Sequence, residues 1–165
     1  PYIQHAHLAC ISHLLRPHMG NIGIDPSAGA DLTAVVRAQA ARAKTLVELA
    51  RISEFVYRDF EHYDEVAARK HLRPVARVPL EHLRAALDML ALEDWEPATL
   101  EHRVSRVADE LGLKLGKVAQ PLRVAVVGRA ASPGIDVTLQ LVGKEATLRR
   151  IDRALEYIRR REEGG

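Results

Sequence analysis

Apolar residues recur every three or four positions along most of this chain, which is the spacing of one buried face of an α-helix. In the first segment this spacing runs from Leu8 to Leu15 and predicts a helix over residues 3–15 that ends before Pro17. The alternation of apolar and polar residues that is typical of strands is missing from the sequence. The pattern therefore predicts helices alone.

The next apolar stripe continues to Ile52 and predicts one long helix, for which Asp31 is the expected N-cap. Asp64 is the corresponding cap of a short helix that ends near Leu72. Residues 73–79, RPVARVP, are expected to form an irregular spacer, because proline lacks the backbone N–H and restricts the residue before it.

Two further helices are predicted at 80–92 and 99–111, the second closed by Gly112. Residues 123–127, RVAVV, favour a strand by propensity. We nevertheless predict a helix there, because no second strand is available to pair with them. The predicted fold class is therefore all-α, a two-part helical bundle.

A length of 165 residues allows one large domain or two small ones. We expect the boundary in the proline-containing spacer between Pro74 and Pro79, which gives parts 1–75 and 76–165; Trp95–Pro97 is the other candidate. Aromatic residues make up only 4%, and Ala, Leu, Arg and Glu are abundant. This composition favours helices, because these residues lose little side-chain freedom in them.

The net charge of +2 conceals an uneven distribution. Residues 117–161 carry ten Lys or Arg against four acids, whereas residues 1–116 carry fourteen against sixteen. A polyanion would therefore meet the C-terminal third of the chain first.

The single Cys10 excludes an internal disulfide and indicates a reducing, cytoplasmic compartment. No apolar run is long enough for a membrane span, and the start lacks a signal peptide, so no membrane association is expected. The chain begins with Pro1 inside a helical pattern, and we interpret it as an excerpt of something longer.

The N-terminal segment is rich in potential metal ligands, namely His5, His7, Cys10, His13 and His18. Zinc requires four ligands, and the sequence offers no second cluster nearby, so exposed helix residues are the favoured interpretation and no metal is predicted. His18-Met19-Gly20-Asn21 resembles an ATP-binding signature superficially, but a helix precedes it rather than a strand. No other catalytic motif is visible, so the excerpt by itself is predicted to be non-catalytic and to need no cofactor.

The segment 115–151 is broken by glycines and prolines and carries many basic residues. Each interior Gly costs a helix about 1 kcal/mol relative to Ala, so such punctuation indicates short helices joined by turns that approach a ligand closely. Arg123 and the turn Ser132-Pro133-Gly134-Ile135 offer charged, polar and apolar groups of the kind that read single-stranded bases. The candidate phosphate contacts are Lys117, Arg149, Arg150 and Arg160, although a solvated basic helix face is an equally good interpretation of the last arginines.

Three stretches resemble one protein family. The run LGKVAQPLRVAVVGRAASPGIDVTLQLVGKEATLRRI is similar to the closing motif of bacterial glutamyl-tRNA synthetases, and RAKTL at 42–46 and YDE at 63–65 with KHL at 70–72 resemble segments upstream of it. Val127 departs from the family, which usually has Thr there. The similarity covers essentially the whole chain.

The resemblance implies an anticodon-binding region in which residues 1–75 lead from a missing catalytic half and residues 76–165 bind the anticodon. Arg123, Ser132, Pro133 and Ile135 match family contacts to anticodon bases, and Arg42 is similarly placed to sense the first base. The implied partners are tRNA(Glu) and the catalytic domain of the same chain, in a monomer. The parent enzyme would use ATP and Mg to attach glutamate to that tRNA.

Two other functions are compatible with the residues themselves. A helical interaction module could bind an acidic protein partner through its basic C-terminal face, and a small metal-dependent enzyme could use the N-terminal histidines. Measured affinity for an anticodon stem-loop distinguishes the interaction module from an RNA-binding domain. Stoichiometric metal in the purified protein would identify the metal-dependent enzyme.

Overall fold

The structure of the protein, a computed structural model, describes residues 5–164, with side chains from residue 7 onward. All regular secondary structure in this range is helical, which confirms the all-α prediction. The α-helices are α1 (His5–Asn21), α2 (Leu32–Gln39), α3 (Leu46–Tyr57), α4 (Glu65–His71), α5 (Arg77–Asp88), α6 (Pro97–Leu111), α7 (Leu115–Val127), α8 (Ile135–Val142) and α9 (Lys144–Gly164). Within this range no helix combines the length and the hydropathy that crossing a membrane requires.

The chain forms two compact units, one up to Phe60 and the other from Glu61. The expected boundary lay later, between residues 75 and 76. The difference arises because α4 is attached to α7 and α9: the N–H of Asp64 donates to the carbonyl of Gly128 (2.8 Å), and Arg161 donates to the carbonyls of Ala68 (3.1 Å) and Leu72 (3.0 Å). These contacts place α4 in the second unit.

The first unit packs α1, α2 and α3 around one apolar core. Its buried side chains come from all three helices and the loop after α1: Leu8, Leu15, Met19, Ile24, Leu32, Val36, Leu49 and Ala50. Full burial of each large apolar side chain contributes about 1.5–3 kcal/mol, so this small core is the main source of the unit's stability.

Helix α1 continues through Pro17 to Asn21, so the prediction that it ends at Leu15 was wrong. The expected start at Ile3 lies outside the described residues. A proline inside a helix costs about 3 kcal/mol, and here the burial of Met19 in the next turn offsets that cost. The helix ends where the N–H of Ile24 donates to the carbonyl of Met19 (2.9 Å).

The single long helix predicted from Asp31 to Ile52 is two helices, α2 and α3, separated by a short 3-10 helix at Ala40–Arg42. Helix α3 has its own start signal, because the hydroxyl of Thr45 accepts a hydrogen bond from the N–H of Glu48 (3.1 Å). The carboxylate of Glu48 in turn accepts one from the N–H of Lys44 (3.0 Å). Asp31 is at the N-cap position of α2, but its side chain makes no capping hydrogen bond.

The second unit consists of α4 to α9, with α9 packed against α5 and α7. Its core is built from fully buried aliphatic side chains: Leu80, Leu83, Leu87, Leu100, Leu122, Leu139, Ile151 and Ile158. A bidentate pair between the guanidinium of Arg84 and the carboxylate of Asp152 (2.9 and 3.2 Å) links α5 to α9 at the surface.

The predicted proline spacer is more regular than expected. Pro74–Ala76 is a 3-10 helix, and α5 begins directly afterwards at Arg77 with Pro79 in its first turn. The first N–H groups of a helix have no partner within the helix, so a proline is tolerated there. By contrast, the helix predicted for 123–127, the cap of α4 by Asp64 and the end of α6 at Gly112 (φ +65°) are confirmed.

Candidate nucleic-acid interface

The guanidinium of Arg123 is held from two sides. Helix α7 carries it and ends at Gly128, whose φ of +88° lets the chain turn back toward the helix. The Nε atom of Arg123 donates to the hydroxyl of Ser132 (2.8 Å), and an Nη atom donates to the side-chain carbonyl of Gln120 (2.6 Å). Because a guanidinium is a rigid planar fork, two such bonds fix the orientation of the whole group.

The turn that contains Ser132 is fixed by hydrogen bonds of its own. The Ser132 hydroxyl donates to the carbonyl of Pro133 (2.7 Å). The hydroxyl of Thr138, a fully buried residue of α8, lies 3.0 Å from the same carbonyl oxygen and 3.1 Å from Ser132 Oγ. Sequence reasoning missed Thr138, because a threonine inside an apolar helix face carries no sign of this role.

The structure therefore brings Arg123, Ser132 and Pro133 together. Ile135 follows at the start of α8, but only 9% of its surface is exposed, and Pro133 is also buried. Ile135 therefore offers only a small part of the apolar surface that was expected from it. The accessible part of the turn is the exposed Gly134 beside the half-buried Ser132.

Arg150 is not a phosphate contact in this structure. It is 2% exposed, and its guanidinium donates to the carbonyl of Val126 (2.7 Å) at the end of α7. The prediction for this residue was wrong because a long side chain on α9 can reach the unsatisfied carbonyls of a neighbouring helix end. The other phosphate candidates, Lys117, Arg149 and Arg160, are exposed, with Arg160 3.1 Å from the carboxylate of Glu156.

Other basic residues of α9 also hold neighbouring segments. Lys144 donates to the carbonyls of Asp88 (2.8 Å) and Leu90 (2.6 Å), just where α5 ends. Arg153 donates to the carbonyl of Glu61 (2.8 Å). Lys144, Arg150 and Arg161 thus complement the ends of α5, α7 and α4, whereas Arg153 holds the segment before α4.

Arg42 is the last residue of the 3-10 helix at Ala40–Arg42 and is exposed. It belongs to the first unit, whereas Arg123 and Ser132 belong to the second. Its position directly before the Thr45 cap of α3 is set by the break between α2 and α3 that the sequence pattern did not reveal.

A groove of about 560 Å³ opens between α4, the start of α5 and the first turns of α7. Five basic side chains line it: Lys70, His71, Arg73, Lys114 and Lys117. Its apolar wall includes Val75 and Leu113, and we call it the basic groove. Sequence reasoning named only Lys117 as a contact, although the two basic clusters KHLR and KLGK were visible in the sequence.

Residues 11–155 match a protein-family model described as an anticodon binding domain. The chain belongs to this family. The match includes Arg123, the 132–135 turn and every residue of the basic groove. The prediction of an anticodon-binding region is therefore confirmed, and a basic module for acidic protein partners is not supported.

Two curated proteins similar to this anticodon-binding domain are both called glutamate–tRNA ligase 1. The protein of Nitrosococcus oceani is 49% identical over 157 residues, 95% of this chain and 33% of that protein. The protein of Alkalilimnicola ehrlichii is 50% identical over 164 residues, 99% of this chain and 34% of that protein. The chain thus spans about a third of the length of these relatives.

Two solved structures share the fold of this anticodon-binding domain. A glutamate tRNA ligase from Elizabethkingia meningosepticum, crystallised with its amino acid, superimposes with a TM-score of 0.81 over 92% of this chain and 29% of its own. A glutamate-tRNA synthetase from Elizabethkingia anophelis superimposes with 0.78 over 94% and 30%. Both are 24% identical, so the likeness concerns the fold alone.

The histidines of α1 are possible metal ligands by residue type. Between residues 7 and 164 no three His, Cys, Asp or Glu side chains are grouped so that they could hold an ion, and the side chain of His5 lies outside the described residues. His18-Met19-Gly20-Asn21 forms the last turn of α1, with Met19 fully buried.

Proposed function

We propose that this domain is the C-terminal region of a glutamate–tRNA ligase and that it reads anticodon bases of tRNA(Glu) with Arg123 and the 132–135 turn. The observation that carries the proposal is the orientation of the Arg123 guanidinium by Ser132 and Gln120. An arginine fixed in this way loses little side-chain entropy when it binds, so more of the contact energy is available for discrimination between bases.

The chemistry suits a base that has left its stack. Arginine donates two parallel hydrogen bonds to a base edge or stacks on its face. The donors of the guanidinium are half-buried and lie beside the Ser132 hydroxyl, and the backbone of Gly134 in the same turn is exposed. A base that presents the wrong edge leaves these half-buried donors without partners, which costs about 1–3 kcal/mol.

The other candidate residues have less specific roles. Arg42 would contact the first anticodon base from the first unit and so distinguish glutamate from glutamine codons. Lys117, Arg149 and Arg160 would attract phosphates by charge, which positions RNA without reading its sequence. The whole ligase would be a cytoplasmic monomer whose catalytic half uses ATP and Mg²⁺ and lies outside this sequence.

A titration tests the proposed function directly. The domain is titrated with a hairpin that carries the glutamate anticodon loop and with a hairpin of identical stem whose anticodon bases are scrambled. We expect the glutamate hairpin to bind at least about tenfold more tightly, which corresponds to about 1.4 kcal/mol. Equal affinity for both hairpins would mean that the domain binds RNA by charge attraction alone, and this result would overturn the proposed base recognition.

A further inference from the structure

We propose that the basic groove binds one nucleotide of the anticodon loop, its phosphate on the cationic side chains and its base against the apolar wall. This inference rests on the proposed function, because it assumes that an RNA loop lies on this face of the domain. It assigns a ligand to Lys70 and Arg73, residues that the base-reading cluster does not use.

The size of the groove suits a single nucleotide. Its volume of about 560 Å³ lies within the range of roughly 300–1,000 Å³ that is usual for small-ligand sites. It is open rather than enclosed by chain on all sides, so a nucleotide that remains joined to its neighbours can enter. A stacked double helix cannot present a base in this way.

The charges of the groove select an anion. Lys70 and Arg73 approach from the end of α4 and the residues after it, and Lys117 approaches from α7. Among the described residues that line the groove there is no carboxylate. Cations from separate elements, with no acid among the lining residues, create a positive potential that a phosphate neutralises.

His71 senses this field from inside the groove. Partial burial lowers the pKa of its imidazole, and the nearby positive charges of Lys70, Arg73, Lys117 and Arg123 lower it further. These charges come both from the groove and from Arg123, so the groove and the base-reading arginine share one positive field. A phosphate that enters the groove opposes this effect and therefore raises the pKa of His71.

The apolar wall of the groove provides the surface for the base of the nucleotide. Val75 is 72% exposed and Leu113 39% exposed, although each could bury its side chain favourably. Apolar side chains beside a phosphate site form a surface on which the face of a nucleobase packs. The mixture of cations and aliphatic groups thus matches the two halves of a nucleotide.

The groove is continuous with the base-reading cluster through Gln120. This residue lines the groove, and its side-chain carbonyl accepts the hydrogen bond from Arg123. A nucleotide in the groove and a base on Arg123 would therefore be neighbours along one RNA strand.

The first experiment compares exposed cations at the end of α4 and just after it. The double variant Lys70→Gln/Arg73→Gln removes charge from the groove, whereas Arg69→Gln removes a charge from the same helix outside the groove lining. We expect the double variant to bind the glutamate hairpin about tenfold more weakly and to lower the salt slope by about 0.7 for each lost phosphate contact. Arg69→Gln should change the affinity for the hairpin less than twofold. An equal loss of affinity in the double variant and in Arg69→Gln would overturn the proposal that the groove binds a nucleotide.

A second experiment tests the base and the phosphate separately. Val75→Ser should weaken binding of the hairpin about threefold while leaving a duplex made of its stem alone unaffected; an equal effect on both RNAs would contradict a base on this wall. In an NMR titration the pKa of His71 should rise when the hairpin is bound, and an unchanged pKa would place the phosphate elsewhere. Failure of the proposed function is separate, because it appears in the wild-type domain as indifference to scrambled anticodon bases.

Discussion

The Nε atom of Arg123 donates a hydrogen bond to the hydroxyl of Ser132 at 2.8 Å, which joins helix α7 to the turn that follows it. The contact arises because Gly128 reverses the chain after α7. The bond gives the Arg123 guanidinium a defined orientation beside the turn.

Replacement of Arg123 by alanine should remove sequence discrimination. We expect Arg123→Ala to weaken binding of the glutamate hairpin by about 1–3 kcal/mol, because a bidentate base contact is lost. The difference in affinity between the glutamate hairpin and the scrambled hairpin should become smaller. Arg160→Ala should weaken all RNAs alike and mainly reduce the salt dependence. Binding isotherms at several salt concentrations check both, and identical behaviour of the two variants would contradict the assigned roles.

Thr138 should support recognition without contacting RNA. In Thr138→Val the shape is kept but the hydroxyl beside Pro133 O and Ser132 Oγ is lost, at a cost of about 0.5–1.5 kcal/mol of folding free energy. Because Ser132 then loses a constraint, discrimination between glutamate and scrambled hairpins should also fall.

Thr138→Ser keeps the hydroxyl and is the matched control, and it should restore the preference for the glutamate hairpin. If Thr138→Val discriminates as well as the wild-type domain at a temperature where both are folded, Thr138 contributes to stability only.

Replacement of Arg150 by alanine should lower the free energy of unfolding, whereas replacement of its neighbour Arg149 should not. Arg150→Ala leaves the carbonyl of Val126 without its charged donor inside the fold, so we expect a loss of about 1.5–3 kcal/mol in the free energy of unfolding by urea. Arg149→Ala, an exposed change one residue away, should stay within about 0.5 kcal/mol. Equal stability of the two variants would show that the Arg150 contact is dispensable.

Tyr57 should make the first unit sensitive to alkaline pH. Its hydroxyl donates to the carbonyl of Ala30 (2.9 Å), and burial, followed by the charge of Asp31, raises its pKa to about 12. The group is charged only when deprotonated, so its contribution is fully present below the unfolded pKa of about 10 and is lost as pH rises through about 12.

The check is urea unfolding of wild-type and Tyr57→Phe domains between pH 9 and roughly pH 12. The Phe variant should be less stable at pH 9 by about 0.5–1.5 kcal/mol, because the hydrogen bond is lost. Its stability should then fall less steeply than that of the wild type as pH rises. Parallel curves would show that the Tyr57 hydroxyl does not drive the alkaline transition.

The helical class and most helix positions follow from the apolar spacing, but two boundaries do not. The passage of α1 through Pro17 depends on burial of Met19, a tertiary contribution that no local propensity contains. The break before α3 was visible in principle, since Thr45 and Glu48 have the spacing of a capping box. The apolar spacing on both sides of the break, from Leu32 to Val36 and from Leu46 to Ile52, outweighed that signal.

The candidate site was only partly predictable for the same reason. Arg123 and Ser132 lie close in the sequence and were identified, whereas the basic groove combines Lys70 with Lys117 from distant helices. Arg150 was assigned to the surface because arginines are rarely buried fully, and only the packing of α9 against α7 reveals its partner. Sequence spacing predicts neighbours within an element, but not across the fold.

Gln120 belongs to both sites: its side-chain carbonyl accepts a hydrogen bond from Arg123, and the residue lines the basic groove. Occupation of the groove would restrict the Gln120 amide and thereby the guanidinium that depends on it. The two binding events would then be thermodynamically linked, each increasing the affinity for the other by the same factor. Adjacent nucleotides would be recognised cooperatively, and the penalty for two simultaneous base changes would differ from the sum of the single penalties.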